Sequence, residues 1–331
     1  MAYPNKKCTF ANRVVRRSKS QNISALALSL NRYHKSATPP FYSDIQSDTS
    51  FLIIHVQDIL TKAKMEIKKL PSLPDLEAVV RSAASLMVTD HFEVTQKGGY
   101  SNIVTSSDMA VQDYLCKELS RILPGSGFFC EEKDLKCPSE YTWIIDPIDG
   151  TANYSRGIVH CAICVALAHA GAIQMGVVYL PWSNEMFSAT KGGGSFCNGL
   201  PIHVSRRIFA DGILCTALPI YHKEYAGVCA EIIYQAFMRC NDIRRFGACA
   251  PELCYVAMGR CDMYFEYMLS PWDYAAASLI LEEAGGCIVG RDGQPVSLDQ
   301  PSGVVAANNK ENLNQLLDIV RESVSRQKGK E

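Results

Sequence analysis

Apolar positions along the chain change their spacing several times, and each change predicts an element. From Pro74 onward, Leu76, Val79, Val80, Ala83 and Met87 recur at three- and four-residue steps, the period of one helix face. Val111, Leu115, Leu119 and Ile122 repeat that spacing, with Ser106 or Ser107 placed to cap the helix and Pro124-Gly125 to stop it. Short apolar runs then predict strands at 128–130, 142–145, 161–168 and 173–180, the last two joined by a turn at Ala170-Gly171. Beyond about Ser205 the spacing alternates. A helix runs from Pro251 to Gly259, a strand from Met263 to Tyr267, and a helix from Asp273 to Ala284, ended by Gly285-Gly286. Strands at 287–290 and 304–306 and a polar closing helix complete a second α/β region. The class is α/β in layers, with no internal repeat, and we expect three parts: residues 1–64, 65–205 and 206–331.

The first fifty or so residues lack any sustained period and are rich in Ser, Arg and Lys. Residues 1–64 are expected to be a basic, disordered extension, either an organelle transit peptide or sequence upstream of a start at Met65. Residues 1–47 hold eight basic side chains against one acid, or +7, so the net charge of −1 leaves −8 for the remainder. An acidic body argues against a nucleic-acid surface, which needs a basic stripe to displace counterions. It suits a site that collects divalent cations. The longest apolar run, 158–170, carries two His and is too short to cross a bilayer, so no membrane partner is expected. The 14 Cys are scattered through predicted core elements of a chain long enough to need no disulfides. We therefore expect reduced thiols and a cytoplasmic setting. Cys161 and Cys164 form a C-x-x-C inside an apolar run, with no second pair at zinc-finger spacing, and read as buried small hydrophobes.

The densest chemical signal is Trp143 to Thr151, an apolar run ending abruptly in Asp146 and Asp149. Pro147 fixes φ directly after Asp146, and Gly150 permits a tight turn, so both carboxylates and the Ile148 carbonyl can point to one side. Carboxylates ending a core strand are costly unless a cation neutralises them, and oxygen ligands of this kind suit Mg²⁺. Glu131-Glu132 supplies another acidic pair after a strand, and Asp273 a fourth acid at a helix start, where the dipole favours anions. Taken alone, Glu131-Glu132 reads as a solvated pair and Asp273 as a helix cap. Joined to Asp146 and Asp149, they read as one site.

At these residues the chain resembles the inositol monophosphatase superfamily of metal-dependent, lithium-sensitive phosphatases. The match consists of Asp-Pro-Ile-Asp-Gly-Thr at 146–151, Glu131-Glu132, Trp272-Asp273, the Glu-Ala-Gly-Gly helix end at 283–286, a Val104-Thr105-x-x-Asp108 segment and a glycine-rich hairpin at 191–201. It runs from about Leu73 to the C-terminus. The resemblance implies a five-layer αβαβα sandwich, a homodimer and two or three Mg²⁺. Glu131, Asp146 and the Ile148 carbonyl would hold the first ion, and Asp146, Asp149 and Asp273 the second. Gly150 and Thr151 would offer backbone N–H groups to the phosphate, while Gly247, Ala248 and Glu266 would face the substrate's ring hydroxyls. Glu131 and the Thr151 hydroxyl would orient a metal-activated water for in-line attack. One departure stands out: Asn102 takes a position where many members carry an aspartate. It can still accept a hydrogen bond from Thr151, but it cannot take a proton, so Glu131 is expected to serve alone as base.

Other chemistries fit less well. Cys254 to Arg260 matches the C-x5-R of cysteine phosphatases, but the intervening residues are apolar and helical, with no glycine cradle. An Asp-x-Asp pair, a G-x-S-x-G elbow and a P-loop are all missing. The expected substrate is a small phosphorylated polyol or sugar, inositol monophosphate first. Histidinol phosphate, fructose 1,6-bisphosphate and 3′-phosphoadenosine nucleotides follow, and a bisphosphate would need the basic side chains Arg244, Arg245 and Lys191 near the pocket. A non-catalytic binding protein that kept the fold is the alternative from another class.

Overall fold

A computed structural model describes residues 70–88, 91–98 and 102–328; within these, the side chains of Asn102, Asp134 and Lys328 lie outside the description. The expectations for residues 1–64 and for a start at Met65 fall outside the described residues. Helix α1 (Leu73–Ala83) opens with a reciprocal cap between Ser72 and Asp75, and a hairpin of β1 (Val94–Gly98) and β2 (Asn102–Thr105) follows. Helix α2 (Ser106–Ile122) is capped by Thr105, not by either serine. The capping residue must still be extended and needs a partner three residues on: Thr105 ends β2, and Asp108 returns a carboxylate to its N–H at 2.7 Å. The serines have only Met109 and Ala110 at that offset.

Strands β3 (Gly127–Cys130), β4 (Lys136–Cys137) and β5 (Tyr141–Asp149) lead into a single helical turn, α3 (Thr151–Tyr154). Then come β6 (Ala162–His169), β7 (Ala172–Leu180), β8 (Glu185–Thr190), β9 (Gly194–Cys197) and β10 (Leu200–Pro201). They form one sheet in the order β10-β9-β8-β7-β6-β5-β3-β4, antiparallel except where β3 runs beside β5. Strand β5 does not stop at Ile145 as its apolar run predicts. Its pairing with β6 shifts register between Asp146 and Asp149, and that irregularity accommodates Pro147, which has no N–H for the ladder.

The remainder comprises β11 (Ile213–Thr216), α4 (Ala226–Phe237), β12 (Asp242–Arg244), α5 (Cys249–Ala257), β13 (Met263–Leu269), α6 (Pro271–Glu283), β14 (Cys287–Gly290), β15 (Ser302–Ala307) and α7 (Lys310–Lys328). Its five strands order as β12-β11-β13-β15-β14. The period-2 alternation of the strands sorts the core into three. Trp143, Ile145, Val165 and Leu167 face α1 and α2. Ile144, Cys164, Ala166 and Tyr264 meet α5 and α6 in the middle. Leu214, Phe265 and Val305 face α4 and α7. The result is the αβαβα sandwich. Helix α6 is buried on nearly every side from Tyr274 to Leu281, as a central layer between two sheets requires. It begins at Pro271 behind the Ser270 cap, two residues before the expected start, so Asp273 sits inside its first turn.

Candidate active site

Four acids reach one edge of the larger sheet because two strands end there side by side. Cys130 of β3 pairs with Ile145 of β5, and the Glu131 N–H continues the ladder to the Ile145 carbonyl at 3.1 Å. Glu131 therefore follows β3 just where Asp146 emerges from β5. Asp146 is 2% exposed and Asp149 7%. Helix α6 brings Asp273, whose carboxylate accepts the Ser270 N–H at 2.7 Å.

The electrostatics record this convergence. Burial pushes Asp146 well above the ordinary carboxylate range, and Glu131, Asp149 and Asp273 add repulsion in that order. Asp273 is raised by burial, then by Asp149 and Glu131. Asp149 is pushed up to about 7 by burial, although the Ala250 and Cys249 N–H groups on its two oxygens, at 2.6 and 3.2 Å, work the other way. Among the described residues no three His, Cys, Asp or Glu side chains stand ready as a coordination shell. The hydrogen bonds explain it, since Asp149 and Asp273 turn oxygens towards backbone donors. Even so, the donor set fits a hard divalent cation: all the candidate ligand atoms are oxygen, and carboxylates in mutual repulsion would be relieved by one.

Two neighbours were given no role by sequence reasoning, although Asp108 lies in a segment that carries the resemblance. Lys97, on β1, places Nζ 3.1 Å from Glu131 Oε1 and 2.5 Å from Glu132 Oε1. Burial opposes its charge, but those two carboxylates more than offset the cost and raise it above the usual lysine range. Glu132, pushed up to about 7 chiefly by burial, takes the shorter of the two contacts. Asp108 is the other. The Thr151 hydroxyl donates towards Asp108 Oδ1 at 3.2 Å and the Ile148 carbonyl at 3.0 Å. Asp108 is thus a side-chain acceptor of Thr151; the contact expected from Asn102 lies outside the described residues, since β2 fixes its backbone but its side chain is not described. Asp108 is fully buried, and burial, partly offset by its Thr105 hydrogen bonds, pushes it up to about 6. Its capping-box spacing after Thr105 was the available signal.

Gly150 joins the two halves of the site. Its φ of +89° is left-handed, and a Cβ there would lie 3.0 Å from the Ala248 Cβ and 3.2 Å from the His160 carbonyl, so only glycine fits. Ala248 and Gly247 therefore stand beside the Asp146–Thr151 segment. Glu266, on β13, accepts the Tyr264 hydroxyl at 2.6 Å and is pushed up to about 8, first by burial and then by Glu252 and Asp149. The rival features lie elsewhere. Cys254 is wholly buried in α5 with its thiol raised by burial, Arg260 pairs with Glu185, and Cys161 and Cys164 are core residues. The described cysteines are all free thiols.

The family model described as inositol monophosphatase family matches residues 74–325. An inositol-1-monophosphatase of Mesorhizobium japonicum is 34% identical over 238 residues, 71% of this chain and 88% of that protein. The Nus factor SuhB of Escherichia coli K12 is 38% identical over 202 residues, 60% of this chain and 75% of that protein. Among solved structures, the extragenic suppressor protein SuhB of Bartonella henselae superposes with a TM-score of 0.70 at 31% identity, covering 75% of this chain and 97% of its own. The Thermotoga maritima IMPase gives 0.70 at 28% identity, covering 77% and 98%.

Proposed function

The chain belongs to the inositol monophosphatase family, and from that premise we propose that it hydrolyses the phosphomonoester of a small polyol or sugar, inositol monophosphate first, with Mg²⁺ as cofactor. The observation that carries the reading is the Thr151 hydroxyl held on Asp108 beside the buried Asp146 and Asp149, with Glu131 and Asp273 acting on Asp146. Glu131, Asp146, the Ile148 carbonyl, Asp149 and Asp273 would hold two or three Mg²⁺, which supply Lewis-acid stabilisation and an acidified water when bound.

The chain's own groups do the rest. Thr151 Oγ1 orients the attacking water and passes a proton towards Asp108 Oδ1, a carboxylate whose affinity near pH 6 suits it to take and release that proton. Glu131, which acts on both Asp146 and Asp108, is a second acceptor. The Gly150 and Thr151 N–H groups, opening α3, face the phosphoryl oxygens, where charge grows in the transition state. Gly247, Ala248 and Glu266 line the ring side.

A monophosphate is favoured by where the basic side chains stand. Arg244 is paired with Asp242, and Lys191 acts on Glu282, which lies nine residues along α6 from Asp273, or about 13 Å at 1.5 Å per residue. Of the three candidates only Arg245 acts on a ring-side group, Glu266. The same reading gives a cytoplasmic homodimer with no nucleic-acid or membrane partner; among the described residues no helix is long and apolar enough to span a bilayer.

The relatives named Nus factor SuhB suggest the second reading, a binding protein that retains the fold. Phosphate release decides between them. With inositol phosphates, histidinol phosphate, fructose 1,6-bisphosphate and nucleotide 3′-phosphates as substrates, we expect Mg²⁺-dependent, Li⁺-inhibited turnover highest on inositol monophosphate. No release from any substrate would leave the binding reading.

A further inference from the structure

The segment Phe246 to Ala250 has its main chain held from both sides. Glu252 reaches back along α5, and its Oε1 accepts the Phe246 N–H at 3.0 Å and the Gly247 N–H at 2.8 Å. Asp149 takes the next donors, Cys249 and Ala250. On the other side Asn153 Nδ2 donates to the Phe246 carbonyl and to the His160 carbonyl, both at 2.8 Å. Gly247 crosses between these holds at φ +89°, where a Cβ would press on the Asn153 amide at 3.3 Å. Asp149 and Asn153 belong to the phosphate side of the pocket, whereas Gly247 and Ala248 belong to its ring side. The hydrogen bonds therefore fasten one side to the other.

Capping alone does not explain Glu252. Ala248, the capping position of α5, has no side-chain acceptor, and a serine or aspartate there would satisfy helix donors without burying a longer carboxylate. Glu252 is 1% exposed, and among the described residues its Oε2 has no hydrogen-bond partner, although the Ala248 N–H also acts on the carboxyl group. Leaving an oxygen buried and unpaired is costly, and the cost is accepted at the residue that holds the ring-facing backbone.

We infer that Glu252, with Asn153, is a positioning residue that fixes the distance between the phosphate and the ring hydroxyls, and so determines which hydroxyl of a cyclic polyol may carry the phosphate. The inference rests on the hydrolase reading above. If it holds, regioisomers are distinguished by a rigid spacing between the two sides. Loosening that spacing costs discrimination more than turnover.

The test compares kcat/KM for inositol 1-phosphate, inositol 2-phosphate and the acyclic 2-phosphoglycerol, in Mg²⁺, for the wild type, Glu252→Ala and Glu252→Gln. The alanine variant should lose at least tenfold of its preference between the two inositol phosphates while changing less than threefold on 2-phosphoglycerol. The glutamine variant, which keeps one side-chain oxygen for the two N–H groups, should restore the preference to within threefold. An equal loss on all three substrates would mean a general structural role and overturn the assignment. Amide exchange supplies a reading independent of catalysis: the Phe246 and Gly247 amides should exchange at least tenfold faster in the alanine variant and at the wild-type rate in the glutamine one. Unchanged exchange in the alanine variant also overturns it. Should Glu252→Ala fail to fold, Glu252→Asp, too short to reach, takes its place with the same expectations. A wild type inactive on every phosphomonoester sinks the hydrolase reading and, with it, the regiochemical role, while the exchange data still decide whether the hold exists.

Discussion

The two sides of the candidate site treat their polar groups in opposite ways. At the ends of β3 and β5 the fold gathers carboxylates and leaves their repulsion standing: Asp146 and Asp273 are both raised by burial and by one another's neighbours. At the start of α5 the N–H groups of Phe246, Gly247, Cys249 and Ala250 all find carboxylate acceptors. The first side is built to be completed by something positive, whereas on the second these four backbone donors are already satisfied. A change on the first side should therefore alter chemistry and metal response at once. On the second side it should act through geometry.

The sharpest way to break that contrast is Asp146→Asn. We expect kcat in saturating Mg²⁺ to fall by about 10³-fold or more, since in the proposed assignment Asp146 alone would be shared by both ion positions. The metal-free protein should melt no lower than the wild type, because the substitution removes a buried repelling charge. A variant that melts much lower without metal would mean that Asp146 stabilises the fold by itself, and the idea of an uncompensated side would be lost. Thr151→Ala comes next. Losing the hydroxyl that links water to Asp108 should lower kcat by about 10²-fold, the scale of one positioned proton-transfer group, with KM changed little. Matching loss in Asp108→Asn, without further loss in the double variant, would show that the two act as one unit.

How legible each side was in the sequence follows from the same contrast. A strand that runs Trp143-Ile-Ile and then presents Asp146 and Asp149 contradicts itself unless a cation is involved, and that conflict is visible without coordinates. The layered class could be read from the period changes, but β8 and α4 could not. Glu185 to Thr190 is a short strand of mixed residues, and α4 lacks a capping side chain at Tyr225. Asp108 was hidden because its sequence neighbours mark a helix cap, and one of its oxygens does serve as one. Only the fold shows the other oxygen facing Thr151, 43 residues away. Lys97 was invisible for a similar reason: a hairpin places it, and nothing in Val94 to Gly98 announces the two glutamates it meets. Glu252 was not singled out from the sequence, since main-chain partners leave no mark in a side-chain pattern.

A milder probe of the contrast is pH. Asp149, Glu252 and Glu266 have folded-state values of about 7, 8 and 8, above those of the unfolded chain. The native state therefore binds more protons than the unfolded state below those values, and this stabilising contribution is lost as pH rises through them. His160, lowered to about 4 by burial, is neutral in both states above about pH 7.5 and does not blur the upper part of the window. Between pH 6.5 and 8.5 the metal-free protein should lose about 5 °C in Tm. Saturating Mg²⁺ should remove the part of the slope that Asp149 contributes, because the ion would bind its ionised carboxylate and replace its proton, and leave the part from Glu252 and Glu266. Calorimetry at four pH values with and without Mg²⁺ is sufficient, and a rising Tm across the window in the metal-free protein would contradict the assignment of these raised groups.

The smallest effect is expected at Asn102. It stands at the first residue of β2, three before Thr105, where many members of the family carry a carboxylate. Asn102→Asp adds a negative residue to a chain in which Glu131 already acts on both Asp108 and Asp146. A further negative group there has two opposing consequences. It offers one more proton acceptor, and it raises the cost of ionising the acceptors already present. Because Thr151 already has Asp108 as its acceptor, the first gain is small, and turnover should change less than tenfold, with the acid limb of the rate profile moved upward in pH. A gain of several hundredfold without that movement would show that the native chain lacks its base, that Asp108 serves only as the cap of α2, and that the carboxylate side of the pocket is as incomplete in its proton acceptor as in its cation.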